Sequence, residues 1–451
     1  MRILLTVHQF LPEYSAGTEI VAYSVARELI ARGDQVEIVT GFPGPVTLGL
    51  EQARFDRYEY QGIPVHRFIH TYEPMGGESN IAVLEHNNPL VGGFFQQILR
   101  EFKPDLVHAY HLARLSVSPL EECARAGVPV VCTATDFWFI CPLSQLLLPG
   151  NQLCRGPSWN AANCIRHLAV VQKDNLLRRI FYRMPDWLVG SVVAYIRRGW
   201  FPPTQFNPLV RAMSARPELL RRRLKDVKKI LVPSKTVRDL LCGAGLDAAN
   251  MILFPYGIDV EHIHRAGGKG ETPRLRIGFI GTLASHKGPT VLVDAIRRLS
   301  PDVPIDLSLY GSGNPANPYV NKLRSDAGAE ARIRFLGAFD NRKVGEILAE
   351  LDVLVVPSLW YENTPMVIYE AQAAGCLVIA SDMGGMSEMI RAGEDGLLFP
   401  PGDSAALAQV LKNLCEDRPM VARLATNAPR PLSVKDQVTR LQGIYRQILG
   451  V

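Results

Sequence analysis

The sequence lacks a hydrophobic run long enough to cross a membrane, which requires roughly 18 consecutive apolar residues. Its first apolar stretch, residues 1–7, has only the length of a strand and is followed by His8 and Pro12. It is therefore too short to be a signal peptide. We expect a cytoplasmic protein, with peripheral attachment to the inner face of the membrane left open.

Cysteine is also scarce, with 8 residues in a chain of 451. In the reducing cytoplasm these thiols are expected to bind metal more readily than to form disulfides. The hydrophobic content of 47% instead indicates an α/β protein with a large interior. A chain of this length is too long for one ordinary core, so two or three domains are expected.

Net charge is small, at +5, but it is unevenly distributed. Residues 165–230 contain 15 Lys and Arg against 4 Asp and Glu, so this segment carries +11. Aromatic residues lie among the cations. This composition favours an amphipathic element at an anionic lipid surface. A solvated helix face and a patch that collects anionic substrate remain alternatives, and no nucleic-acid-binding motif accompanies the charge.

The most informative stretch is residues 352–385. Residues 353–356 are a Val-rich run closed by Pro357, which predicts a buried parallel strand. Thr364 is suited to cap a helix, and Pro365 suits its first position. The helix is expected to continue to Gly375, with a further strand from residue 377.

Two carboxylates lie in this stretch, Glu362 in the loop and Glu370 inside the helix. The N-terminus of a helix attracts a diphosphate, which would repel both carboxylates. We therefore expect them to bind hydroxyl groups, Glu362 on a sugar and Glu370 on a ribose. The alternative is a salt-bridged helix face.

The pattern P-S-x-x-x-E-N-x-P-x-x-x-x-E-A-x-A-x-G-x-x-V-I-A resembles a known family. It is similar to the retaining, nucleotide-sugar-dependent glycosyltransferases with two Rossmann-like domains (the GT-B fold, glycosyltransferase family 4 or group 1 type). The resemblance implies two α/β domains facing across a cleft, with a C-terminal helix crossing back to the first. The expected ranges are an acceptor-side domain over 1–255, a linker over 256–273, a nucleotide-sugar domain over 274–432 and a crossover helix over 433–451. A Cys-containing loop and basic insertion occupies about residues 137–230 of the first domain.

The resemblance also assigns residues to the donor site. In this family a Gly–Arg pair and a later Lys-Gly hold the diphosphate; Lys287 matches, whereas Thr282 replaces the Arg. His286 or a base from the first domain could substitute, and Lys287 could instead be a surface lysine. The residues expected at the nucleotide-sugar site are Gly17, Gly281, Thr282, Lys287, Gly311, Gly337, Ala338, Glu362, Asn363, Thr364, Pro365, Met366, Val367 and Glu370.

In the first half, Gly17 follows the first strand and would let the backbone approach a phosphate or sugar. A tight turn is the alternative explanation. Relatives read T-x-H-D-F-W where this chain has Thr135-Asp136-Phe137-Trp138, so the family His is replaced by Thr135. Asp136 is the nearest polar candidate, although an Asp after a strand is commonly a turn or cap residue.

Cys141, Cys154, Cys164 and His167 follow this segment and close on C-x-x-H. Three Cys and one His form a usual tetrahedral zinc set. Relatives with the same D-F-W-x-x-C-P opening tend to carry a Cys cluster here. The sequence predicts one structural zinc, with free cysteines in a loop as the alternative.

The expected function is transfer of a sugar from a nucleotide-diphosphate sugar to a glycan or lipid-linked acceptor, with retention of configuration, in polysaccharide or cell-envelope glycan synthesis. No Asp-x-Asp occurs, so no catalytic metal is expected. The expected catalytic residues are Glu362, Lys287 and Asp136, with no protein general base. A nucleotide-sugar epimerase or hydrolase, or a weakly catalytic nucleotide-sugar-binding protein, are the alternatives.

Overall fold

The structure is a computed structural model that describes residues 1–44, 54–71, 73–172, 176–260, 263, 272–314, 316–328 and 330–451. Two separate sheets of mainly parallel strands form its framework. The predicted linker includes residues 261, 262 and 264–271, which lie outside the described residues.

The first sheet has eight strands from the N-terminal half. In chain order the strands of this half are β1 (Arg2–Val7), β2 (Gln35–Pro43), β3 (Phe55–Tyr60), β4 (Ile63–His70), β5 (Leu106–Ala109), β6 (Val130–Thr133), β7 (Leu147–Leu148), β8 (Gln152–Leu153), β9 (Lys229–Val232) and β10 (Met251–Leu253). β7 and β8 pair only with each other, and the sheet order is β10-β9-β6-β5-β1-β2-β4-β3. All pairs in this sheet are parallel except β3 with β4. The central strands β5 and β6 are wholly buried, as expected for a sheet covered on both faces.

The helices of this half are α1 (Gly17–Ala31), α2 (Ile81–Leu84), α3 (Pro89–Phe102), α4 (Ser118–Ala126), α5 (Ala162–Gln172), α6 (Leu176–Arg183), α7 (Asp186–Arg197), α8 (Asn207–Leu224) and α9 (Lys235–Gly243). Polar caps set several starts: the side chain of Asn88 accepts from the backbone of α3, and that of Ser234 accepts from α9. Helices α5–α8 lie in the range predicted to be an insertion and share a small apolar cluster, against which Ala82 of α2 also packs.

The second sheet has six parallel strands in the order β13-β12-β11-β14-β15-β16. They are β11 (Leu275–Ile280), β12 (Ile305–Tyr310), β13 (Ile333–Gly337), β14 (Val353–Val356), β15 (Leu377–Ser381) and β16 (Leu397–Phe399). The remaining helices are α10 (Pro289–Arg298), α11 (Pro318–Ala327), α12 (Val344–Glu350), α13 (Met366–Ala373), α14 (Gly384–Met389), α15 (Ser404–Glu416), α16 (Arg418–Asn427) and α17 (Val434–Leu449).

The last helix, α17, packs against the first sheet. Tyr445 is fully buried, and its hydroxyl lies 2.6 Å from Nδ1 of His108 on β5. Gln442 donates to Asp34, and Arg32 donates to Thr439, so polar contacts join α17 to the end of α1. Two sheets of mainly parallel strands with a C-terminal helix returning to the first confirm the predicted fold class.

In each sheet the strand order reverses between two neighbours, β1 and β5 in the first and β11 and β14 in the second. Ligands of open α/β sheets bind beyond the carboxyl ends of the strands at such a reversal. The loops after these four strands are therefore the places to look for a site. Among the helices that the described residues form, none has the length and apolar character needed to cross a membrane.

Candidate functional site between the two sheets

The loop after β14, at the strand reversal of the second sheet, contacts the loop after β6 of the first sheet. Asn363, in the loop after β14, donates from Nδ2 to the carbonyl oxygen of Thr135, 2.6 Å away in the loop after β6. The rings of Phe137 and Tyr361 lie 6.4 Å apart, edge to face. The segments predicted to hold donor and acceptor thus lie against each other, and the region between them is called the cleft below.

Glu362 is paired with Lys287 at this cleft. Its Oε1 accepts from Lys287 Nζ at 2.7 Å and from Ser358 Oγ at 2.8 Å, and its side chain is only 8% exposed. Burial acts to raise the pKa of Glu362, but Lys287 and the hydrogen bonds outweigh it, so the pKa lies below its ordinary value. The carboxylate is ionised and held in one orientation.

Lys287 is placed there by a close approach of two backbone segments. The following residue, Gly288, has φ +69°, and a Cβ on it would lie 1.9 Å from the carbonyl oxygen of Pro357. Leu359 donates from its backbone N–H to His286 O at 2.7 Å. Only glycine allows this approach, so the sequence Lys-Gly fixes Lys287 against the loop that carries Glu362.

The helix after Glu362 begins later than the sequence predicts. Thr364 was the expected N-cap, but α13 begins at Met366, and Pro365 occupies the N-cap position without a side-chain hydrogen bond. The hydroxyl of Thr364 donates instead to Asn363 O at 2.7 Å. Proline disfavours helical geometry in the residue before it, which keeps Thr364 outside the helix. The backbone N–H groups of Met366 and Val367 therefore begin a helix that no side chain caps.

Glu370 lies about one turn inside α13. It is half-buried, and burial raises its pKa to about 7. Within the part of the chain that the structure describes, no hydrogen bond to its carboxylate is found. The group is therefore available to a ligand and titrates near neutral pH.

Three predicted glycines lie together at the carboxyl ends of β11, β12 and β13. Gly311 donates from its N–H to Gly337 O at 2.7 Å, and a Cβ on Gly311 would lie 1.8 Å from Gly281 O. These positions bring three strand ends into backbone contact. Thr282 and Ala338, which follow Gly281 and Gly337, are exposed beside them.

His286 is poorly suited to replace the missing arginine. Its ring packs against Trp360, with centroids 4.9 Å apart. Burial lowers its pKa, and the neighbouring Lys287 lowers it further, so the imidazole is neutral. Lys287 also lies over the Trp360 ring, with Nζ 5.1 Å from its centroid.

On the opposite side of the cleft, Asp136 pairs with a histidine. Its Oδ2 lies 2.6 Å from Nε2 of His111, which follows β5, and its Oδ1 accepts from the N–H of Trp138. The contact with His111 joins two loops that are distant in the sequence. The bond from Trp138 is the turn-type contact that was given above as the alternative role of Asp136.

Behind this pair lies a second histidine, His8, at the end of β1. Its ring is 4.2 Å from that of His111, and its Nε2 is 3.5 Å from Glu19 of α1. Burial, with added effects from His111 and Arg114, lowers the pKa of His8 to about 2, so it is neutral. Burial also raises the pKa of Glu19. The first sheet therefore presents a polar cluster at its strand reversal.

Thr135 and Asn363 are in contact between the Glu362–Lys287 pair and the polar cluster of the first sheet. The hydroxyl of Thr135 donates to Tyr110 O at 2.9 Å, so its side chain is already engaged. Oδ1 of Asn363 is buried and has no hydrogen-bond partner within the described residues. A buried acceptor without a donor is rare in native proteins and is consistent with a ligand hydroxyl at this point.

Gly17 is the first residue of α1, and a Cβ built on it would meet no atom within 4 Å. It does not have a positive φ, so a tight turn does not explain it. Ala16 before it provides no side-chain cap. The start of α1 is thus a second uncapped helix N-terminus at the strand reversal of the first sheet.

The zinc prediction is not supported by the geometry. Cys141, Cys154, Cys164 and His167 do line one small pocket, but no group of three or more His, Cys, Asp or Glu among the described residues is arranged to hold a metal ion. Burial raises the pKa of Cys164 to about 12, and Cys154 Sγ lies 3.4 Å from the N–H of Gly156. Here the thiols pack as small, largely apolar groups.

Several cations of the basic insertion form contacts within the fold. Arg216 is buried, donates to Trp138 O and lies 5.0 Å from the Trp138 ring centroid. Arg223 pairs with Glu121, and Arg166 pairs with Asp186. The cations of α8 therefore help attach the insertion to the loop after β6 and to α4. Arg183, at the end of α6, and Arg198, just after α7, are exposed.

The two halves are also joined away from the cleft. Glu388 of α14 accepts from the N–H groups of Lys235 and Thr236, each at 2.7 Å. A carboxylate at a helix N-terminus satisfies unpaired donors and opposes the helix dipole favourably. The start of α9 is thus occupied by the second half of the chain.

Sequence reasoning missed His111, His8, Glu19 and Arg114. His8 follows β1, and His111 and Arg114 follow β5, whereas Glu19 lies on α1. His111 lies two residues after the end of the buried strand β5. Ligands of open α/β sheets bind beyond the carboxyl ends of the strands, so this position could have been predicted as part of a site.

Two family descriptions match the chain. Residues 16–257 match the Glycosyl transferase 4-like domain, and residues 274–417 match Glycosyl transferases group 1. Together with the two sheets and the cleft, these matches define the class as a glycosyltransferase with two Rossmann-like domains. The chain belongs to the family of glycosyl transferases described as group 1, with a glycosyl transferase 4-like domain in its first half.

Curated relatives with assigned activities are similar over part of the chain. The D-inositol 3-phosphate glycosyltransferase of Corynebacterium aurimucosum is 26% identical over 300 residues, which are 59% of this chain and 71% of the relative. The phosphatidyl-myo-inositol mannosyltransferase of Mycobacterium leprae is 33% identical over 192 residues, 42% of this chain and 49% of the relative. The match thus spans about half the length of the second relative.

Solved structures resemble the whole chain in fold. Anabaena HepE in complex with UDP and glucose has a TM-score of 0.65 at 19% identity, covering 99% of this chain and 100% of that one. Sucrose-phosphate synthase from Thermosynechococcus elongatus has a TM-score of 0.67 at 18% identity, covering 100% and 99%. At these identities the likeness concerns the fold.

Proposed function

We propose that this glycosyltransferase moves a sugar from a nucleotide-diphosphate sugar to a glycan or lipid-linked acceptor, with retention of anomeric configuration. The observation that carries the proposal is the Glu362–Lys287 pair beside the uncapped start of α13, facing Asp136 and His111 across the cleft. A cation and a helix N-terminus suit a diphosphate, and the ionised Glu362 suits sugar hydroxyls.

Catalysis is then electrostatic stabilisation of the leaving group. Negative charge grows on the diphosphate as the anomeric bond breaks. The Lys287 ammonium and the N–H groups of Met366 and Val367 neutralise it. In a retaining reaction the acceptor hydroxyl attacks on the face of the leaving group, and a diphosphate oxygen takes its proton. No protein general base is needed, which agrees with the use of Glu362 as a positioning carboxylate.

The acceptor is proposed to be lipid-linked, in polysaccharide or cell-envelope glycan synthesis. One relative is named for transfer to phosphatidyl-myo-inositol, a lipid. The exposed aromatic and cationic residues of α6 and α7 support association with an anionic membrane surface.

The proposal is tested with a panel of nucleotide sugars. We expect a thermal shift with one donor and the corresponding nucleoside diphosphate, and product formation only when an acceptor extract is added. NMR of the product should show the anomeric configuration of the donor. Donor turnover without acceptor would instead identify an epimerase or hydrolase, and binding with no turnover in any extract would identify a binding protein.

His111 is proposed to take the place of the family histidine that Thr135 replaces. Its Nε2 contacts Asp136, its Nδ1 accepts from the N–H of Ala113, and its side chain is only 3% exposed, so it would act on a sugar hydroxyl by positioning Asp136. We expect His111→Asn to lower kcat about 100-fold, within the range for positioned polar groups. The matched control is His66→Asn, because His66 also pairs with a carboxylate, Glu37 at 2.6 Å, on strands away from the cleft. Equal effects of the two substitutions would contradict the assignment.

Nucleotide affinity is expected to depend on pH through Glu370. Ribose hydroxyls donate to the ionised carboxylate, and burial raises the pKa of Glu370 to about 7. Binding therefore favours loss of a proton, and affinity should rise with pH up to about 7 by at most about tenfold per unit, then level off. Calorimetry at pH values from about 5.5 to about 8.5, which bracket a pKa of about 7, measures how nucleotide affinity changes with pH. Glu370→Gln should abolish this change. A slope that survives in that variant would assign the proton to another group.

A further inference from the structure

The helical insertion contains a cavity that the proposed transfer reaction does not use. Its volume is about 420 Å³, and it lies between α5, α6, α7 and α8. Apolar side chains form most of its wall, among them Ile165, Phe181, Val193, Leu209 and Met213. These residues belong to an apolar cluster separate from the cores on the two faces of the first sheet.

The cavity opens to the surface through apolar side chains. Val192, Phe201 and Phe206 line it and are at the same time 37%, 36% and 53% exposed. Large apolar residues grouped around an opening, rather than scattered singly, mark a place where another apolar group binds. An apolar cavity of this kind is not stabilised by water, which needs polar partners.

Aromatic and cationic residues adjoin, along the chain, residues that line the cavity, among them Met184, Ile196 and Phe201. Trp200 is 67% exposed, its ring lies 5.9 Å from that of Tyr195, and Arg198 lies over it at 5.2 Å. Arg183 and Arg197 are also exposed on these helices. Together with Arg198 they are called the arginine rim below. Tryptophan and tyrosine favour the boundary between water and lipid, and arginine pairs with phosphate head groups.

We propose that this cavity binds one acyl chain of an anionic lipid drawn from the membrane, with the lipid head group at the arginine rim. The inference rests on the proposed association with an anionic membrane and names its molecular basis. A methylene is close in size to water, whose share of liquid volume is roughly 30 Å³, so the cavity accepts on the order of ten carbons. The charge of the rim selects an anionic lipid over a neutral one.

The first test uses cis-parinaric acid, a fatty acid whose fluorescence rises when it leaves water. We expect saturable binding of one molecule per chain. Ala169 lines the cavity, and Ala169→Phe should weaken binding at least about tenfold, since each methylene displaced costs about fourfold in affinity. The matched control is Ala249→Phe, an exposed alanine on a short helix outside the insertion. Val192→Trp, at the mouth, is a second obstruction if Ala169→Phe does not fold.

The second test uses vesicles of phosphatidylcholine with and without phosphatidylglycerol. We expect cosedimentation only with the anionic vesicles and a loss of binding in Ala169→Phe but not in Ala249→Phe. Unchanged parinaric acid affinity in both obstructed variants, or binding of many molecules per chain, would overturn the inference. Binding of the soluble fatty acid without binding to vesicles would overturn the membrane as the source.

The donor-binding thermal shift is measured on the same variants. It reports the cleft and should not change in Ala169→Phe. Failure of the transferase proposal appears as no donor shift in the unaltered protein, whereas failure of the cavity proposal appears only in the lipid measurements.

Discussion

Glu362→Ala is expected to remove sugar transfer while the protein stays folded. The loss in kcat should be roughly 10²–10³-fold, the effect of deleting one positioned group at a reacting centre. In the unaltered protein the carboxylate is ionised, buried and held in one orientation by Lys287 and Ser358, and in the proposed reaction it binds the sugar from that position. Without it, the sugar hydroxyls lose a fixed acceptor, and Lys287 loses the partner that directs it.

The measurement is initial rate with saturating donor and acceptor, together with circular dichroism. The control is Glu346→Ala, which removes an exposed carboxylate from the first turn of α12. Binding of the nucleoside diphosphate without its sugar should survive in Glu362→Ala, because the proposed contact is with the sugar. Near-normal transfer by this variant would refute the role of Glu362.

Lys287→Met is expected to destabilise the protein as well as inactivate it. The substitution leaves the Glu362 carboxylate buried with no cation, and breaking a buried pair costs about 3–5 kcal/mol in free energy of unfolding. The lower value applies here, since the Lys287 side chain is 28% exposed and partly screened by water. Chemical denaturation at neutral pH measures the loss.

The pH dependence of this loss has a definite sign. In the unaltered protein the pKa of Glu362 is lowered, so the pair contributes stability above the ordinary Glu pKa, and this is lost as pH falls through the lowered value. In Lys287→Met the lowering effect of Lys287 is lost and only the hydrogen bonds from Trp360 and Ser358 oppose burial, so the pKa of Glu362 rises. The stability difference between the two proteins should therefore be largest at neutral pH and shrink towards pH 4, near the ordinary value of about 4.3.

A double variant separates stability from chemistry. Lys287→Met with Glu362→Gln removes both charges, so no uncompensated charge stays buried. We expect most of the lost stability to return, with no return of transfer activity. Recovery of activity along with stability would mean that the pair only supports the fold.

Local patterns in the sequence were sufficient for the second sheet and its loops. These patterns determine structure through neighbouring residues. They are the Val-rich run before Pro357, the Lys-Gly after β11 and the glycines at strand ends. Their positions at the carboxyl edge follow from the alternation of strands and helices. The error at Thr364 was also local: the preference of Thr for a cap was weighed without the restriction that Pro365 places on it.

Contacts between distant residues were not predictable in the same way. Lys287 and Glu362 were each assigned to a ligand, and the fold pairs them with each other across 75 residues of sequence. His111 and Asp136 come together because β5 and β6 are neighbours in the sheet. The Cys and His spacing predicted a zinc set, but the loop path does not arrange these side chains around an ion.

The sequence by itself determined the two α/β units and the family, because periodicity, turn residues and short motifs depend on neighbours along the chain, and it predicted the loops in which a sugar nucleotide would bind. The tertiary structure decided which charges pair, which histidine contacts Asp136 and that the basic insertion encloses an apolar cavity. These features arise from the packing of segments far apart in the chain, and no local pattern records how such segments meet.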